Sequence, residues 1–294
     1  MKSTTETASK RYLTIDDWPA GELVSGIVES QYAAIGAVQR AQQMIAAAAE
    51  AIAARLEDGG RMIYLGAGTS GRLATLDAAE LPPTYNFPRE RAFALMAGGS
   101  DAFIIAREGA EDDRAAAVAD LDAAGLTQKD VVIGIAASGN TPYVAAALAH
   151  GRSTGAVTVA LYNNPDGTVA THADFPILLE TGAEFVAGST RMKAGTAQKV
   201  ALTTLSTAVM IRLGYVYRGR MVEMKPTNAK LYQRAREMVA ELAGTDIATA
   251  TTALEACDYS IKIATVMLKK SLSSAAAAAL IAEARGNLRR ALEG

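Results

Sequence analysis

The sequence predicts an α/β fold: a parallel sheet between layers of helices (an αβα sandwich), preceded by N-terminal helices and followed by a small C-terminal helical domain. Three observations lead there. Short apolar runs alternate with helical segments after Gly59-Gly60, a glycine-rich turn follows the first of those runs, and the chain on either side carries helical periodicity.

In front of the sheet, Val24, Ile27, Val28, Tyr32, Ile35 and Val38 recur at three- and four-residue steps, and an Ala-rich stretch continues to about Leu56. This spacing predicts two long amphipathic helices. The strands are expected at Met62–Leu65, Ala92–Met96, Val131–Ile135 and Ala156–Leu161, with a fifth short one at Phe175–Leu179. Strands that alternate with helices pair in parallel and are covered on both faces. Met192–Leu213 has few breakers and carries Val200, Leu202, Leu205, Val209 and Met210, as a long buried helix does. From Asn228 to Gly294 the pattern is helical, broken near Gly244-Thr245-Asp246 and Ser271–Ser274. The expected organisation is therefore an N-terminal helical segment packed on the core (1–58), an α/β domain (59–225) and a helical domain (226–294).

Composition narrows the function. With 294 residues, half of them hydrophobic, the chain can bury a substantial core. Lys and Arg total 29 against 31 for Asp and Glu, so no basic excess steers it to nucleic acid, and a small ligand is expected. Cys257 is alone and the only histidines are His150 and His172, which leaves no disulfide and no Cys/His cluster at zinc spacing. No metal is expected. Residues 1–11 lack the apolar core of a secretory signal, and the longest uncharged stretch, Val131–Gly151, is cut by Ser138, Gly139, Asn140 and Pro142. A cytoplasmic protein without a membrane span is the expectation.

The chemistry is expected on loops. Gly66-Ala67-Gly68-Thr69-Ser70-Gly71-Arg72 matches the dinucleotide spacing G-x-G-x-x-G after a strand. The acid that would hold a ribose at the end of the second strand is missing, since that strand runs into Ala97-Gly98-Gly99-Ser100, and the Gly-Lys-Ser/Thr ending of a P-loop is absent too. What remains is a helix N-terminus with adjacent hydroxyls, Thr69 and Ser70, which cradles phosphate without lysine. The third strand ends in a second such loop, Ala137-Ser138-Gly139-Asn140-Thr141-Pro142. Either loop alone is also explained by helix capping; both together, after two strands of one sheet, point to a ligand. A third loop, Gly188-Ser189-Thr190-Arg191-Met192-Lys193, precedes the long helix. Ser189 or Thr190 would cap it, while Arg191 and Lys193 oppose its dipole and point to an anion nearby. Two acids stand at helix ends: Glu80, before Leu81-Pro82-Pro83-Thr84, and Glu111, in Gly109-Ala110-Glu111-Asp112-Asp113. The residues by themselves lead to a phosphate-binding α/β protein with two candidate acids.

The glycine loop, Ala79-Glu80-Leu81-Pro82-Pro83-Thr84, Gly109-Ala110-Glu111-Asp112, Ala136–Tyr143, Gly188–Lys199 and Thr227-Asn228-Ala229-Lys230-Leu231 occur in an order that closely resembles the N-acetylmuramic acid 6-phosphate etherase family, whose core is a sugar isomerase (SIS) domain. The resemblance runs from Thr5-Glu6 to the helical tail, with Gly188–Lys199 its most specific block. Asn140 stands where the family pattern often has arginine, and Thr7-Ala8 replaces Arg-Asn. The resemblance implies a lyase that removes D-lactate from N-acetylmuramic acid 6-phosphate and leaves N-acetylglucosamine 6-phosphate, in cell-wall sugar recycling. By residue it implies Glu80 as the acid that protonates lactate, Glu111 as the base for the C2 proton, and Thr69, Ser70, Ser138 and Thr141 around the phosphate, with Ser189 and Thr190 close by. Burial beside Pro82-Pro83 is expected to keep Glu80 protonated. No redox cofactor or metal is implied, and a homodimer is. The competing readings are a phosphosugar isomerase, a non-catalytic sugar-phosphate sensor of the glucokinase-regulator type, and a dinucleotide-binding dehydrogenase.

Overall fold

The structure, a computed structural model, describes residues 3–105 and 107–294; Lys2 of the N-terminal stretch lies outside the described residues. After short 3-10 turns come α1 (Ala20–Arg40), α2 (Gln42–Glu57), β1 (Met62–Gly66) and α3 (Gly68–Tyr85). Next are β2 (Ala92–Met96), α4 (Arg114–Ala123), β3 (Val131–Ala136), α5 (Pro142–Thr154), β4 (Val157–Tyr162) and β5 (Phe175–Leu178). The chain continues through α6 (Lys193–Arg212), β6 (Val216–Tyr217) and β7 (Arg220–Met221) into α7 (Ala229–Ala243), α8 (Ile247–Glu255), α9 (Ile261–Lys270), α10 (Ser274–Glu283) and α11 (Leu288–Glu293).

The five long strands form one parallel sheet in the order β2-β1-β3-β4-β5, as the alternating pattern predicts. Strands β1 and β3 are buried along their whole length, which explains why they read as continuous apolar runs rather than alternating ones. They pair side by side, Gly66 opposite Ile135. From β1 the chain leaves toward β2 on one side, and from β3 toward β4 on the other. Connections diverge at this point, so a crevice opens beyond the carboxyl ends of β1 and β3, where open α/β sheets take their ligands.

The chain forms two compact units. The first contains the chain through Ala79 together with Arg89–Ala208; the second contains Glu80–Pro88 and Val209–Gly294. Helix α3 starts in the first and its last turns, from Glu80, belong to the second.

Within the first unit, α1 packs through Gly26, Ser30, Ala34, Ala37 and Val38. Of the apolar positions that predicted the helix, Val24, Val28, Tyr32 and Ile35 face solvent, with Tyr32 74% exposed. The periodicity gave the helix correctly, but small residues make the packed face because they admit close neighbours: a Cβ on Gly26 would lie 3.0 Å from the Trp18 ring and 3.1 Å from Phe185. Trp18 and Phe185 meet edge to face with centroids 6.1 Å apart, and Tyr12 lies 4.5 Å from Phe185.

Helices α7–α11 of the second unit each begin with a side-chain cap: Asn228, Asp246, Ser260, Ser273 and Asn287 accept from the backbone N–H three residues on. Such caps satisfy amides that a short helix cannot bond internally. The core between these helices holds Ala235, Val239, Leu254, Ile261 and Leu288. Lys262 is 3% exposed there, pairs with Glu223 and donates to Gly286 O, and burial pushes its ammonium pKa down. The ribbon β6–β7 escaped the sequence reading because two-residue strands carry no period; Arg218 and Gly219, both at positive φ, form its turn. Among the described residues no single helix is long and apolar enough to cross a membrane; α9 and α10 together have the composition but are bent by 108°.

Candidate active site

Strand β1 runs into the glycine loop, and the loop's geometry requires its glycines. A Cβ on Gly66 would stand 2.7 Å from Gly71 N, and one on Gly71 would stand 2.6 Å from Gly66 O. Side chains here would push strand and helix apart. The first bond of the turn runs from Gly71 N to Ala67 O, so the amides of Gly68, Thr69 and Ser70 precede the helical ladder and point at the crevice.

The hydroxyls divide into two kinds. Those of Thr69, Thr141, Ser189 and Thr190 have no hydrogen-bond partner among the described residues, and Thr141, although at the N-cap of α5, makes no capping bond. Capping therefore does not account for Thr141. Ser138 Oγ accepts from Asn140 N at 3.1 Å and keeps its own proton available. Ser70 differs. It is 6% exposed, and its hydroxyl donates to Gln198 Oε1 at 2.9 Å. Gln198 Nε2 donates to Asn163 Oδ1 at 2.9 Å, and Asn163 Nδ2 donates to Leu179 O at 2.8 Å. Because a carbonyl only accepts, the last bond fixes both amide orientations and makes Ser70 the donor of the chain. Its backbone N–H and oxygen lone pairs are what it offers a ligand. Gln198 and Asn163 are fully buried. In the sequence Gln198 is marked only by its place inside the Gly188–Lys199 block and Asn163 is not marked at all; the available signal is an amide on the buried face of the long helix, which needs a partner.

Asn140 has a structural task. Its Oδ1 accepts from Thr168 N at 2.9 Å and its Nδ2 donates to Ser138 O at 3.3 Å, which braces the second loop.

Helix α6 corrects two expectations. Its cap is neither Ser189 nor Thr190 but Glu184, whose carboxylate accepts from Lys193 N at 3.0 Å and Ala194 N at 2.9 Å. For Lys193, an anion is thus supplied internally by Glu184. Lys193 turns back and donates to Ala183 O. Burial raises the Glu184 pKa against the pull of those amides and of Lys193, and burial lowers that of Lys193. Glu184 escaped notice because it sits nine residues before the helix it caps.

Glu111 lies exposed on a 3-10 turn, Ala110–Asp112, directly before α4, whose N-cap is Asp113. It lines a cavity of about 130 Å³ together with Gly68 of the glycine loop, Arg72, Met96, Arg107 and Glu108. The structure therefore brings Glu111 and the glycine loop to one cavity within the first unit. Arg72 braces that region by donating to Phe103 O at 2.7 Å and Ala102 O at 3.1 Å. Glu80 is the first residue of the second unit. Helix α3 does not end at Glu80 but runs on to Tyr85 with Pro82 and Pro83 inside it. Prolines lack N–H groups, so the carbonyls four residues back, of Ala78 and Ala79, lose their helical donors beside Glu80. Glu80 itself is exposed, not buried against the prolines as expected. Among the described residues no three His, Cys, Asp or Glu side chains gather as metal ligands.

Residues 44–152 match the family of the glucokinase regulatory protein N-terminal SIS domain, and residues 114–208 match the SIS domain. An N-acetylmuramic acid 6-phosphate etherase of Deinococcus radiodurans is 48% identical over 98% of this chain and 94% of its own length. One from Mycolicibacterium smegmatis is 44% identical over 98% of this chain and 97% of its own. Among solved structures, a phosphoheptose isomerase from Francisella tularensis matches 65% of this chain and 98% of its own with a TM-score of 0.52 at 21% identity, a likeness of fold.

Proposed function

This chain belongs to the N-acetylmuramic acid 6-phosphate etherase family, and from that membership we propose that it is a carbon–oxygen lyase that converts N-acetylmuramic acid 6-phosphate and water into N-acetylglucosamine 6-phosphate and D-lactate. The observation that carries the reading is likeness to etherases along nearly the full length, 48% identity over 98% of the chain.

The chemistry follows from the substrate. An alkyl ether is a poor leaving group, but in the open-chain sugar the C1 aldehyde acidifies the C2 proton. Glu111 takes that proton, the C3–O bond breaks, and Glu80 protonates the departing lactate oxygen. Glu80 then removes a proton from water as it adds to C3 of the unsaturated aldehyde, and Glu111 returns a proton to C2. Protons and electrons balance with no redox partner. Support for the base comes from the cavity that Glu111 shares with the glycine loop. The phosphate is held by the amides of the glycine loop and by Thr69, Ser138 and Thr141, with Ser70 supplying its N–H and with Ser189 and Thr190 next to the sugar. The free hydroxyls of Thr69, Thr141, Ser189 and Thr190 support this.

A cytoplasmic homodimer in cell-wall sugar recycling completes the proposal. The apolar stripe Val24, Val28, Tyr32 and Ile35, open to solvent on α1, supports pairing with a second copy. The isomerase reading draws only on a likeness of fold, and the regulator reading leaves both glutamates without a task. Incubation with N-acetylmuramic acid 6-phosphate tests the function: D-lactate and N-acetylglucosamine 6-phosphate are expected in equal amounts, and absence of lactate overturns it.

A further inference from the structure

The mechanism makes no use of the N-terminal strap at Thr5-Glu6, yet Thr5 is buried and bonded into the first unit. Thr5 is 1% exposed. Its N–H donates to Asn164 Oδ1 at 3.1 Å, its Oγ1 accepts from Asn164 Nδ2 at 3.1 Å, and its carbonyl accepts from Gly188 N at 2.9 Å. Asn164 Nδ2 also donates to Ala137 O at 2.8 Å. The strap is thereby tied to the residue before Ser138 on one side and to the residue before Ser189 on the other.

Glu6 follows this anchor, exposed, with its carboxylate against the backbone of Gly188. A Cβ at that glycine would lie 2.8 Å from Glu6 Oε2, close enough that the carboxylate would have to move aside, and its φ of +76° itself favours glycine. Among the described residues the carboxylate has no hydrogen-bond or ion-pair partner. A surface acid that only meets solvent has no need of a buried threonine, an asparagine bridge and a glycine to hold it beside a ligand loop.

We propose that Glu6 is a further substrate-contacting residue, delivered by the Thr5–Asn164 anchor, that accepts hydrogen bonds from hydroxyl or amide N–H donors of the sugar. A carboxylate accepts only, and it repels a phosphate dianion, so its partners are the neutral donors of the ligand and not the phosphate. The inference rests on the phosphosugar reading above and deepens it.

The test is calorimetric and independent of turnover: N-acetylglucosamine 6-phosphate and, separately, inorganic phosphate are titrated into wild type, Glu6→Ala and Glu6→Gln. Glu6→Ala is expected to weaken the sugar phosphate about ten- to a hundredfold, the range for a hydrogen bond to a charged group. Glu6→Gln keeps one acceptor oxygen and should lose less. Inorganic phosphate should bind both variants as well as wild type, or more tightly. Unchanged sugar-phosphate affinity in Glu6→Ala overturns the proposal, and so does a parallel loss for inorganic phosphate, which would make the strap a scaffold for the phosphate loops. Matching thermal melts for Glu6→Gln and wild type separate either result from misfolding. Failure of the etherase reading shows independently, as sugar-phosphate binding without lactate release.

Discussion

At the scale of single residues, the two glutamates are separable by experiment. If Glu111 removes the C2 proton and Glu80 protonates lactate, Glu80→Ala should still exchange the C2 hydrogen of N-acetylglucosamine 6-phosphate with deuterated water while it fails to cleave the ether. Glu111→Ala should lose both, each loss being about 10²–10⁴-fold. Proton magnetic resonance of the C2 signal and a lactate assay give the two readouts, and an inverted pattern would mean that the roles are exchanged. A second residue-scale prediction concerns Asp130, 2% exposed, which accepts from Arg61 Nη2 at 2.7 Å and from Thr127 N at 2.9 Å. Burial alone opposes its ionisation, but Arg61 and Thr127 favour the charged form and hold its carboxyl below the usual range. A depressed folded pKa means stabilisation that is complete above the unfolded value of about 4 and is lost as pH falls through the folded value. Asp130→Asn should therefore lower stability at pH 7 by about 1.5–3 kcal/mol and remove part of the acid-side slope, read from urea midpoints against pH.

At the scale of elements, α6 depends on a carboxylate that does not belong to it. Glu184→Ala leaves the amides of Lys193 and Ala194 without their acceptor in a buried place and should cost about 1–3 kcal/mol. The denaturant midpoint would measure this, and an unchanged midpoint would show that Ser189 or Thr190 takes over the cap. This element also shows what the sequence could reveal and what it could not. Strands β1 to β5 were legible because buried parallel strands are short apolar runs between helices, and the hydroxyl loops were legible because glycine and hydroxyls follow those runs. Glu184, Asn163 and the brace made by Asn140 were not, because each acts on a partner distant in the chain and no local period marks it. Which face of α1 packs was not legible for a related reason: periodicity identifies a helical face, but does not tell which face is buried when alanine, serine and glycine line the other.

At the scale of the whole molecule, that same stripe predicts association. Tyr32→Asp, at the most exposed of its apolar side chains, should turn the proposed dimer into a monomer in light scattering with little change in the thermal melt, since the side chain is 74% exposed in the single chain, and a wild-type monomer would refute the pairing. The reaction as written also calls for no added group, so dialysis against a chelator should leave lactate release intact, and inactivation reversed by a metal would refute the mechanism.

The packing of Trp18 against Phe185 and Tyr12 has an optical consequence. Trp18 is the only tryptophan in the chain, so the intrinsic emission excited at the red edge comes from a single indole. That indole touches Phe185, which is adjacent in sequence to the Glu184 cap and three residues from the Gly188 loop. A rearrangement of this loop on ligand binding that displaced Phe185 would change the ring stacking and the water around the indole. A stopped-flow trace of native fluorescence would therefore time the loop's response to sugar phosphate without any label. Phe185→Leu should shift the resting emission and reduce that signal, whereas a ligand-dependent signal of undiminished size in this variant would mean that the indole senses something other than the loop.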